Sequence, residues 1–64
     1  MSKYTAHFPF IPSMGTVSPI SGLSDKPSET KEEEALWHLN SARAHDGQGK
    51  LRHLPRGTKF VKED

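Results

Sequence analysis

One segment of this chain carries the marks of a helix at both ends, and it limits what the remainder can build. It runs Thr30-Lys31-Glu32-Glu33-Glu34-Ala35-Leu36-Trp37-His38-Leu39 and closes at Asp46-Gly47. Thr30 is placed to cap the first turn, and Glu33 three residues on completes a capping box. Glu32, Glu33 and Glu34 fall where the helix dipole favours negative charge, and Arg43 and His45 where it favours positive charge. Gly47 suits the left-handed position just past a helix end. The sequence therefore predicts one short α-helix over about residues 31–45. At 100° per residue, Ala35, Leu36, Leu39 and Ala42 share a stripe about 120° wide, and Trp37 falls off it.

No other segment declares an element so clearly. Residues 1–23 hold Tyr4, Phe8, Phe10, Ile11, Met14, Val17, Ile20 and Leu23, interrupted by Pro9, Pro12 and Pro19. Each proline fixes its own φ and pushes its predecessor toward extended backbone. That spacing excludes a long helix and a central strand, leaving an extended apolar arm with turns near Ser13–Gly15 and Ser21-Gly22. Residues 24–47 form the capped helical segment. Residues 48–64 read as a flexible basic tail, broken by Gly49, Pro55 and Gly57. Within it, Thr58–Lys62 alternates weakly and could add a strand to a partner's sheet.

Composition sharpens the expectation. The chain has 64 residues, no cysteine and 31% hydrophobic residues, four of them alanine. Disulfides and thiolate metal sites, two common staples of a small domain, are absent. The expected fold class is mostly irregular or intrinsically disordered with a single short helix and no autonomous core. Such a chain works by being bound, and orders further on its partner.

Charge is segmented although the net is only +1. Between Asp25 and Glu34 stand five acids and two lysines, and between Lys50 and Lys62 five basic residues and no acid. The tail residues Lys50, Arg52, Arg56, Lys59 and Lys62 are candidates for an acidic partner or for phosphate, with Phe60 able to stack on a base. The partner-binding candidates are Phe8, Phe10 and Ile11 on the arm and Leu36, Trp37 and Leu39 on the helix. A tryptophan off the apolar stripe is the type of residue that anchors an interface.

Catalysis finds no support. There is no cysteine nucleophile, the serines lie in proline- and glycine-rich segments, and the carboxylates cluster where a helix N-terminus accounts for them. His7, His38, His45 and His53 lack the i, i+3 or i, i+4 spacing of helical metal ligands. Gly47-Gln48-Gly49-Lys50 is too short for a phosphate loop, and Leu54–Thr58 does not have the order of a sortase signal. Ser18-Pro19 matches a proline-directed phosphorylation site. No cofactor and no small-molecule substrate are expected. No apolar run approaches the ~20 residues of a membrane span, and no signal pattern opens the chain. An intracellular location follows as the expectation, with cytoplasm and nucleus not distinguished.

The sequence thus points to a small non-enzymatic protein-binding regulator (an inhibitor, adaptor or assembly factor) acting on a larger protein or assembly. Two alternatives stand beside it. One is a peripheral structural subunit of a capsid, filament or ribonucleoprotein. The other is nucleic-acid contact through the basic tail.

Overall fold

Residues 3–63 are described by the structure, a computed structural model. Strand β1, Lys3–His7, ends before the first proline. Alternation turns Tyr4 and Ala6 to one face and Lys3, Thr5 and His7 to the other. Strand β2, Ile20–Ser24, begins immediately after Pro19. Helix α1 spans Lys31–His45, and strand β3 spans Lys59–Glu63. β1 lies in the middle of a three-stranded antiparallel sheet of order β2-β1-β3. The prolines exclude only their own positions, and all of them lie outside the strands.

A bulge shapes the first pairing. Tyr4 pairs with Leu23 and Ala6 with Ile20, so Ser21 and Gly22 together oppose Thr5. Gly22 takes φ +78°, open to glycine at no steric cost. Its amide, turned away from the ladder, donates to Glu63 Oε2 at 2.9 Å. The second pairing is regular, from Lys3 opposite Glu63 to His7 opposite Lys59.

α1 covers one face of the sheet. Ala6, Leu23 and Ala35 form the centre, with Tyr4, Phe8, Ile20, Leu54 and Phe60 packed around them. Ala6 and Ala35 are both fully buried. Two methyl side chains at the contact let helix and sheet approach closely, so little apolar bulk is needed to fill the layer between them. Lys31 closes one side: its ammonium lies 4.8 Å from the centre of the Tyr4 ring and 5.6 Å from that of Phe60. It also pairs with Asp25 at 3.5 Å and Glu32 at 3.3 Å.

The helix ends as its sequence requires. Thr30 Oγ1 accepts from the Glu33 amide at 3.3 Å. At the other end Gln48 N donates to Arg43 O at 2.7 Å and Gly47 N to Ala44 O at 3.1 Å, a Schellman closure with Gly47 at φ +76°. The buried stripe is Ala35, Leu39 and Arg43, not one containing Ala42, which is exposed. Arg43 is 8% exposed. It donates from Nε to Gly49 O at 2.7 Å and from Nη1 to Ser13 Oγ at 2.9 Å.

This architecture corrects the expected fold class. The chain is not irregular or intrinsically disordered around a lone helix. It is an α/β domain with a radius of gyration of 11.6 Å, against about 11 Å for a folded chain of this length and about 24 Å for an unfolded one. The apolar count misled because alanines, an aliphatic lysine stem and a buried guanidinium do work assigned to large hydrophobes alone. The arm supplies two strands and the tail the third, and residues 1–2 and 64 of those segments lie outside the described residues.

Two substitutions test this construction by chemical denaturation. Arg43→Ala removes two hydrogen bonds from a charged donor and is expected to cost about 2–3 kcal/mol. The lost amide protection should fall on residues 11–15 and 47–51. Gly47→Val meets no atom within 4 Å of its new Cβ, so its cost is backbone strain alone, about 1–2 kcal/mol. Gly49→Ala, equally open and without a positive φ, is expected to be near neutral.

Candidate functional site

One flank of α1 meets the segment from Lys50 to Leu54. That segment has no secondary structure of its own, and the Asn40 side chain pairs with its backbone. Asn40 Nδ2 donates to Leu51 O at 3.0 Å, and Leu51 N donates to Asn40 Oδ1 at 2.8 Å. The amide pairs with Leu51 as a neighbouring strand would, satisfying both of its backbone groups. Arg43 fixes the start of the same segment through Gly49 O.

Between helix and segment runs an open groove in two adjoining parts. Leu36 and Arg52 line both; Lys50 and Leu51 complete one, and Glu32, Glu33, His53 and Leu54 the other. Its floor is leucine, one rim carboxylate and the opposite rim basic. Glu32 lies below the usual carboxylate range, first because a backbone N–H donates to it and then because Lys31 stands beside it, with desolvation opposing. The Lys31 ammonium is raised, chiefly by its hydrogen bond to Glu32. Both groups are therefore ionised throughout the neutral range, and Glu32 is already partnered. Glu33, Lys50 and Arg52 make no ion pair among the described residues.

Trp37 stands on the helix one residue from the groove. It is 65% exposed, with its ring edge-on to His38 at 5.2 Å between centroids. Indole bulk so open to water on an ordered helix is unusual, because aromatic surface is ordinarily buried.

The structure separates the residues expected to bind a partner. Leu39 is fully buried and Ile11 8% exposed, so both are spent on the interior. Phe8 packs against the core. Phe10 is 71% exposed and Trp37 nearly as open, and half-buried Leu36 forms groove floor. Of the basic residues, Lys50 and Arg52 reach the groove, while Lys59 and Lys62 lie on β3 and Arg56 in the turn before it. Sequence reasoning missed Leu51, Leu54 and Asn40. The available signal was an apolar residue on either side of Arg52-His53, a pattern that gains meaning only once Asn40 docks the segment on α1.

Among the described residues no cluster of three or more His, Asp or Glu could hold a metal ion. No helix among them is long and apolar enough to cross a membrane. No family model matches the chain, and no similar protein is found among curated proteins or solved structures.

Trp37 is the only tryptophan of the chain, which makes its environment directly measurable. The folded protein is expected to emit like an indole in water and to be quenched by acrylamide almost as readily as free tryptophan. A blue-shifted, protected emission would show that the ring is covered.

Proposed function

We propose that this protein is a small non-enzymatic interaction module that regulates or assembles a larger protein, docking it through α1 and the Lys50–Leu54 segment. The observation that carries this reading is Trp37 standing 65% exposed beside a leucine-floored groove on a folded scaffold. An aromatic anchor next to a concave apolar floor with a charged rim is the composition of an interface centre. Lys50 and Arg52 lack an internal counter-charge among the described residues, so the complementary segment carries an apolar anchor flanked by acidic side chains.

The preformed site changes the energetics expected of binding. A scaffold already held by Asn40 and Arg43 leaves little backbone to order on contact, so binding energy is not consumed in folding the module. Whether the result is inhibition or assembly is set by what the partner does with the covered surface. Fixed stoichiometry in the isolated complex marks a structural subunit, whereas reversible, substoichiometric occupancy marks a regulator.

The test uses a photo-cross-linking residue in place of Trp37 in the full chain, expressed in its native cells, with the same residue in place of Val61 on the sheet as control. Capture of one protein from the Trp37 position and not from Val61 is expected. Trp37→Ala with Leu36→Ser should then weaken binding of that protein about 100-fold while the thermal transition persists, since a hot-spot pair is worth about 2–4 kcal/mol. Equal cross-linking from both positions, or unchanged affinity in the folded double variant, would overturn the reading.

A further inference from the structure

The fold also assembles a patch that no stretch of sequence displays. Register places His7 on β1 opposite Lys59 on β3. Their neighbours Ala6 and Phe60 face the helix, so by alternation His7 and Lys59 share the open face of the sheet. The turn before β3 then folds back on the start of the long β1–β2 connection: a Cβ at Gly57 would lie 3.5 Å from Pro9 Cβ. This places Arg56, next to Gly57, and Phe10, next to Pro9, at the same end of the sheet. His7, Phe10, Arg56 and Lys59 are all exposed, and Phe10 is 71% so.

Two features distinguish this patch from the groove. It is an open sheet end with no leucine floor to receive a peptide side chain. Neither contributing segment, 7–10 or 55–59, contains a carboxylate, and Arg56 and Lys59 form no ion pair among the described residues. Unneutralised cations beside an exposed ring are what a single-stranded nucleic acid uses, because the backbone needs positive charge and an unstacked base needs an aromatic face. A duplex would offer phosphates but no free base to the ring. An acidic protein would use the cations and leave Phe10 idle.

We propose that His7, Phe10, Arg56 and Lys59 form a contact site for single-stranded nucleic acid, with Phe10 stacking on a base and the cations on flanking phosphates. The site is separate from the groove around Leu36 and Trp37, so either can fail without the other.

Fluorescence anisotropy of the full chain with labelled oligo-dT and oligo-U, read across a salt series, tests it. Binding is expected at low salt, with log K falling against log salt at a slope of about −1.4, as about two phosphate contacts on a single strand require. Phe10→Ala should weaken binding about tenfold at every salt concentration without altering the slope. Arg56→Gln with Lys59→Gln should flatten the slope, and circular dichroism should show both variants folded. Leu36→Ser with Trp37→Ala should leave oligonucleotide binding unchanged. Three results would each overturn the proposal: no binding at low salt, tighter binding to a duplex of the same length, or displacement by polyglutamate together with indifference to Phe10→Ala. The last would mark an acidic-protein surface instead.

Discussion

A guanidinium with almost no access to water closes this fold. Arg43 sits where the buried stripe of α1 would ordinarily place a third hydrophobe after Ala35 and Leu39. From there it reaches Gly49 O just past the helix and Ser13 Oγ in the β1–β2 connection. An apolar side chain could fill the volume but could not specify which loop lies against it. The fork geometry of arginine does both, because its donors fix direction as well as distance. Without it, the turn at 11–15 and the chain after Gly47 would lose their side-chain ties to α1. The groove would lose the start of one wall.

Small size explains why polar side chains carry this much of the structure. A chain this short buries a limited fraction of its surface, and here two alanines, Ala6 and Ala35, stand with Leu23 at the centre of the layer between helix and sheet. What would otherwise be open space at the margins is managed one clamp at a time. Glu34 accepts from the Ser24 amide at the end of β2, Asn40 pairs with Leu51, and Glu63 takes the amide that the bulge at Gly22 frees. Each satisfies a backbone group that irregular chain would otherwise leave to solvent. The helix is therefore also a rail: Glu34 fastens the end of β2, Arg43 the β1–β2 connection, and Arg43 and Asn40 the segment that follows the helix.

The sequence disclosed what is local and concealed what is not. α1 was legible down to Thr30 and Gly47 because caps and dipole charges act within one turn of the residues that create them. The sheet was not legible. β1 offers only Tyr4 and Ala6 to the core, β2 contains a glycine and two serines, and β3 follows a run of breakers. None of these would be stable as a strand alone; each gains its ladder from residues far away, as when Lys3 meets Glu63. The prolines compounded the error, since punctuation between strands reads in one dimension like prohibition of strands. Among the site residues, Leu36, Trp37, Lys50 and Arg52 could be named as binding types from sequence. That Leu39 lies inside and Leu54 beside the groove depended on which way α1 faces, and that face is the stripe of Ala35, Leu39 and Arg43.

The same fastening determines the outward chemistry. Asp25, Glu32, Glu34 and Glu63 each have an internal partner: Lys31 for the first two, Lys26 and the Ser24 amide for the third, the Gly22 amide for the last. Lys50, Arg52, Arg56 and Lys59 make no ion pair among the described residues. Carboxylates held against amides and ammonium groups present a weakened field, while free cations on a rim and a sheet end present theirs in full. Folding thus spends part of the acid on the chain's own amides and lysines and leaves Lys50, Arg52, Arg56 and Lys59 without an ion pair among the described residues, the charge arrangement on which both proposed contacts rest.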